Sequence, residues 1–308
     1  MTHSNFPSGF PNGVNIRGIP ILNSYSNKVW WVHSEGGSNG NAGTFDRPFD
    51  TIDYAIGRCT ASRGDVIMVK AGHVETVTAA AGLALDVIGV SIIGLGTGAL
   101  RPNINFTTAV GASVSVTAAN CSMTNFLFTG GVDLLTGPIS IAAADFSLVN
   151  IETRDVTGGA VDFIVTTDAA DRFLISGWKH LGTASAGPDT ALSTVGGDDW
   201  VVENFNIYGN FAVAGIENVT TMSNRVRIGG GPNPNYIWTE NGADICITMK
   251  SDTTGYIGPN LFLMLQDNAA NFAGATVGAA MQFMKPLQIV NLAGESSGDT
   301  TITASTNA

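Results

Sequence analysis

Acidic side chains gather in one part of this 308-residue chain: Asp168, Asp171, Asp198 and Asp199, with Glu203 close behind and Arg154, Arg172 and Lys179 among them. Calcium-assisted elimination from an acidic polysaccharide needs such a set, carboxylates for the cation and a base for the proton beside a uronate carboxylate. Glycoside hydrolysis needs two carboxylates at a fixed separation, which the sequence alone does not show. Asp171 and Asp198 stand 27 positions apart. Placed one above the other they would repel without a metal, and their plainer reading is as solvated turn carboxylates. His3, His33, His73 and His180 are too dispersed for a ligand set. SxxK, GxSxG and HExxH are absent, and the Gly36 to Gly43 loop is not followed by GK[ST], so it is no phosphate loop. Cys59, Cys121 and Cys246 lack CxxC spacing and suggest neither a disulfide framework nor a zinc site. Trp178 and Trp200 could form a sugar platform with Trp30, Trp31 and Trp238, although packing is the commoner use of such residues. No catalytic residue, metal or cofactor is therefore expected, and the protein reads as non-enzymatic.

The elements that would position these groups repeat. GVSIIGLGT (Gly89 to Thr97), NCSMTNFLF (Asn120 to Phe128), DFSLVNIET (Asp145 to Thr153), RFLISGWKH (Arg172 to His180) and DWVVENFNI (Asp199 to Ile207) share one pattern. Their sixth positions are Gly94, Asn125, Asn150, Gly177 and Asn204, in steps of 31, 25, 27 and 27 residues. A period in the range of about 20–50 residues marks a solenoid. Apolar and polar residues alternate within the units, as in Val114 and Val116 set between Ser113, Ser115 and Thr117, which is strand periodicity. Gly, Asn and Asp punctuate every unit where a coil must turn. The predicted fold is all-β, a right-handed parallel β-helix of roughly six to eight coils. Asn125, Asn150 and Asn204 are candidates for an asparagine ladder at one corner, interrupted at Gly94 and Gly177.

Only 13% of residues are charged while 44% are hydrophobic, and the net charge is −11. So bare a surface suggests burial against other subunits. Without a basic cluster, neither nucleic acid nor an anionic membrane is an expected partner. The N-terminus lacks the pattern of a secretory signal, and the longest uncharged span, Pro102 to Val132, is too polar for a membrane helix.

Taken in order, residues 1–27 read as an extended arm dotted with apolar residues that lies on another surface. Val29 to Val32 makes a strand, and a helix over about 51–58 follows, with Asp50 or Thr51 as cap and Ile52, Ala55 and Ile56 on one face. The β-helix domain covers 28–228. Residues 229–308 read as a C-terminal cap or assembly segment, with strands at Asp244 to Asp252 and Pro259 to Asp267 and a possible helix over Ala269 to Met284.

The order of a Gly-rich loop, GTFDRPFDTI, a short helix and GDVIMVKAGHVE resembles the N-terminal cap and first coil of β-helix proteins of the pectate-lyase-like superfamily. That resemblance implies that the helix plugs the open end of the stack, which a terminal coil needs on physical grounds too. From the SNFPSGFPNGV arm through FDTIDYAIGRCTASRGD to IIGLGTG, the chain also resembles uncharacterised virion proteins of tailed bacteriophages. What this second resemblance implies is a virion subunit, assembled in the bacterial host cytoplasm, that cements or decorates the head by binding its major capsid protein. A tail receptor-binding or tailspike-type protein is the alternative, and a polysaccharide lyase or hydrolase the third reading. The small outward positions expected at Ala118, Ala142 to Ala144 and Ala169-Ala170 would let copies pack as a homotrimer.

Overall fold

A computed structural model describes residues 14–16, 19–21, 27–156, 158–184, 187–218, 220–240, 245–265, 273–291 and 301–304. The chain winds into a parallel β-solenoid of about 8 turns with very little helix. Face 1 is a nine-stranded parallel sheet in chain order: Leu83–Leu85, Val114–Val116, Leu135–Ile141, Ala160–Thr166, Thr190–Thr194, Ala214–Asn218, Ile245–Met249, Ala273–Val277 and Thr301–Ala304. Faces 2 and 3 belong to one continuous sheet, because Ser147–Arg154, Leu174–Leu181 and Val201–Gly209 each run through the corner between them.

Period-2 patterning decides what points inward. Ile92, Met123, Leu148, Ile175, Val202, Ile228 and Ile257 stack in register on face 2, and all are fully buried. Burying each such side chain stabilises the stack by about 1.5–3 kcal/mol. Ser122, Ser147 and their neighbours in register point outward between these columns.

The coils do not end at Ile228, where the sequence reading drew its boundary. Asn235–Thr239, Leu261–Leu265 and Leu287–Asn291 continue face 3, while Gly255–Ile257 and Met281–Phe283 continue face 2. The repeat is hard to read there because the corner between faces 2 and 3, a single residue at Asn204, lengthens to Gly229 through Pro234. The helix considered for Ala269 to Met284 is instead the strands Ala273–Val277 and Met281–Phe283. Gly274 serves packing, since a Cβ there would lie 2.8 Å from Ile289 Cγ2.

At the other end, the helix Ile52–Ile56 buries Ile52, Ala55 and Ile56 against the strands Val29–Val32, Val66–Val69 and Leu83–Leu85. Thr51 Oγ1 accepts the Tyr54 N–H (3.3 Å), and Asn39 Oδ1 accepts the N–H of Asp50 and Thr51. Glu75, itself buried, accepts the Ile52 N–H at 2.8 Å and lies 2.9 Å from His73 Nε2. A carboxylate at a helix start meets both its unpaired N–H groups and its positive end. Within the arm, Val14–Ile16 and Ile19–Ile21 pair antiparallel, and the rest of residues 1–26 lies outside the described residues, His3 included.

Candidate functional site

Two corners carry most of the residues singled out by type and spacing. At the corner between faces 1 and 2, Asn120, Asp145, Arg172, Asp199 and Arg225 occupy equivalent left-handed positions, with φ between 55° and 60°. The column therefore alternates in charge. Arg172 clasps Asp145 at 2.7 and 2.8 Å, and Arg225 clasps Asp199 at 2.6 and 2.6 Å. These guanidinium bonds hold the Asp145 and Asp199 carboxyls below the usual carboxylate range.

Asp171 and Asp198 stack one coil apart in the neighbouring column. Asp171 Oδ1 accepts the Asp198 N–H and Asp198 Oδ1 accepts the Asn224 N–H, both at 2.8 Å. The repulsion between them is met by Arg172, 4.0 Å from Asp171, and by Arg225, 3.6 Å from Asp198. Arginine supplies the positive charge beside both carboxylates. Among the described residues no group of three or more His, Cys, Asp and Glu is arranged to hold one. Glu203 is likewise engaged, by Arg227 at 2.5 Å and Ser176 at 3.4 Å.

At the corner between faces 2 and 3, Asn125, Asn150, Gly177 and Asn204 share positive φ of 66°, 52°, 71° and 53°. Asn125 Nδ2 donates to the carbonyls of Gly94 and Gly96, and Asn150 Nδ2 donates to Asn125 Oδ1 at 3.0 Å. Gly177 leaves a gap, and Asn204 Nδ2 turns to Ser176 Oγ at 3.3 Å. The long Gly229 to Pro234 corner closes over Asn204, with the Asn233 N–H 3.4 Å from Asn204 Oδ1.

Trp178 and Trp200 are fully buried and form no exposed platform. Trp200 stacks on Phe173 at 5.4 Å, and Thr153 Oγ1 bridges Trp178 Nε1 and His180 Nδ1, each at 2.9 Å. Complete burial lowers the His180 pKa to about 3, so it stays neutral within the core. Ala118, Ala143 and Ala170 are buried too; the corner tucks them under the coil, which removes them from any subunit contact. Ala142 and Ala144 are half-buried, and Ala169 is exposed.

Face 1 carries a group that the sequence reading did not single out. Ser115, Ser140, Val165, Ser193, Glu217 and Thr248 form one outward column in register. Glu217 accepts the Ser193 hydroxyl at 2.7 Å, and Asp162, on a neighbouring column, accepts the Thr190 hydroxyl at 2.7 Å. Burial raises the pKa of both carboxyls; Asp162 and Asp189 raise Glu217 further, and Asp189 does the same to Asp162. The Thr248 hydroxyl beside Glu217 is buried and unpartnered. Coil lengths hide this group, because Asp162 to Thr190 is 28 residues and Ser193 to Glu217 is 24.

No family model matches the chain, and no curated protein matches it. Among solved structures it is similar to a rhamnogalacturonan lyase, with a TM-score of 0.55 and 14% identity over 82% of this chain and 73% of that one. It is also similar to a GH136 lacto-N-biosidase from Eubacterium ramulus, with a TM-score of 0.50 and 12% identity over 90% of this chain and 68% of that one. At these identities the likeness is one of fold.

Proposed function

We propose that the protein acts on a polysaccharide laid across face 1, with Asp162 and Glu217 as its acid–base pair. The observation that carries this reading is that two carboxyls on one outer sheet face are both pushed up by burial, with Asp189 between them in sequence and bearing on both. A carboxyl whose pKa is raised is the better placed of two to protonate a leaving glycosidic oxygen, while its ionised partner serves as base or nucleophile. Ser115, Ser140 and Ser193 supply hydroxyls along the same face. The similar folds named above belong to glycan-directed enzymes, which supports the substrate class without fixing the reaction. The test is product release from a panel of neutral and acidic oligosaccharides. Glu217→Gln and Asp162→Asn should each lower the rate by about 10²–10⁴-fold with folding intact. Folded protein that cleaves nothing in the panel, or variants as active as the parent, would refute the reading.

A second reading is a non-enzymatic virion subunit, trimeric and bound through its surface to the major capsid protein of a phage head, with tail receptor binding as its variant. Leu100, Val110 and Leu134 support it, being 60%, 53% and 64% exposed on a surface poor in charge. Light scattering of purified protein tests it: a trimer near three times 31.9 kDa supports the reading, and a monomer counts against it.

A further inference from the structure

We infer that the recess beside Gly177 is a second glycan site, one that seats a single pyranose ring on Tyr236, away from face 1. It would serve recognition and not cleavage. The inference stands on geometry separate from that of Asp162 and Glu217.

The recess follows from the corner itself. Where Asn125 and Asn150 fill their turns with a side chain, Gly177 has none, and a Cβ there would lie 3.3 Å from the Asn150 backbone. The next coil but one carries the enlarged corner, whose Asn233 and Pro234 overhang the gap. Between them lies a cavity of about 270 Å³ lined by Lys179, Asn206, Asn233, Pro234 and Tyr236 over the buried Trp178. That is near the lower end of the roughly 300–1,000 Å³ typical of small-molecule sites, which suits one ring better than an oligomer.

Lys179, Asn206, Tyr236 and Phe262 form one outward column on face 3. Tyr236 and Phe262 stack with centroids 5.1 Å apart and planes within 17°. One face of Tyr236 is thus covered by Phe262. Its other face is turned toward the Asn206 rung, whose side chain is exposed, and Tyr236 itself is half-buried beside the recess. An apolar C–H face of a sugar matches the electron-rich face of an aromatic ring, and would continue the stack at the spacing of the coils.

Polar groups stand ready for the hydroxyls. Glu152, the residue in register with Lys179, is taken by Arg154 at 2.6 Å and Arg101 at 3.6 Å. Neither Lys179 nor the Asn206 amide has a hydrogen-bond or ion-pair partner among the described residues. An ammonium and an amide beside a half-buried aromatic ring in one recess make a site that orients a polyhydroxylated ring through donors at its edge.

The test is saturation-transfer NMR with a panel of neutral, N-acetylated and carboxylated mono- and disaccharides, followed by titration of whichever binds. Tyr236→Ala should weaken binding by about ten-fold or more, the loss expected when a stacked aromatic face is removed. Asn206→Trp, a change at an exposed position, should fill the recess and abolish binding, while Tyr236→Phe should retain it. Glu217→Gln should leave this binding unchanged even where it abolishes cleavage, so the two sites fail separately. Absence of transfer from every panel member to folded protein would overturn the inference, as would binding that survives both Tyr236→Ala and Asn206→Trp.

Discussion

Arg172 and Arg225 offset half of the negative charge that Asp145, Asp171, Asp198 and Asp199 bring to one corner, and that pairing is what separates the corner acids from the acids of face 1. Arg172→Ala should therefore lower the melting temperature, with the loss shrinking at about 1 M salt because the pairs are exposed and screened. Glu217 behaves oppositely. Its pKa is raised in the folded protein by burial and by Asp162 and Asp189, so the native state holds this proton more tightly than the unfolded chain. Stability then grows as pH falls through the raised value, and levels off below the ordinary Glu pKa of about 4.3. Glu217→Gln should raise the melting temperature near neutrality and change it little below about pH 4. A wild-type protein and variant with parallel melting curves from acid to neutral pH would refute the shift. Asp171 and Asp198 were legible as stacked because they sit one period apart. Their counter-charges were legible by the same rule, since Asp145, Arg172, Asp199 and Arg225 follow at steps of 27, 27 and 26. Asp162 and Glu217 were not, because their partners lie at 28 and 24 residues and face 1 carries register shifts between Leu135 and Ile139.

Among the elements, the cap helix was the most readable from sequence, because its apolar spacing and its Thr51 cap are local. Its second anchor was not readable. Glu75 reaches the Ile52 N–H from 23 residues away, and no local pattern announces that bond. Ile52 and Ile56 are both buried, so replacing either by Asp removes an aliphatic side chain and buries a charge. Each change should cost about 3–5 kcal/mol, read as a shift in the denaturation midpoint. An unchanged midpoint would show that the helix does not seal the end. The late coils show the reverse case. Their strands are as regular as the early ones, yet a corner of six residues in place of one erased the period from the sequence.

At the scale of the whole molecule, each coil touches only its neighbours, so stability is a sum of coil and interface terms and the ends are decided by what covers them. The N-terminal end is covered by Ile52–Ile56. At the other end, Met281–Phe283, Leu287–Asn291 and Thr301–Ala304 each pair on one side only among the described residues, and Phe283, Leu287 and Ile289 are only partly buried. The middle coils have the longest strands, up to nine residues in Val201–Gly209, with partners on both sides. Opening should therefore begin at Met281–Asn291 and reach Ser147–Gly209 last. Hydrogen exchange read by mass spectrometry at dilute concentration should rank these segments in that order. Repeating it at high concentration adds the assembly question. If copies cover the open strand edges, protection at Met281–Asn291 should rise with concentration while that of Ser147–Gly209 stays fixed. Equal protection of both segments in dilute solution would mean that the stack opens as one unit.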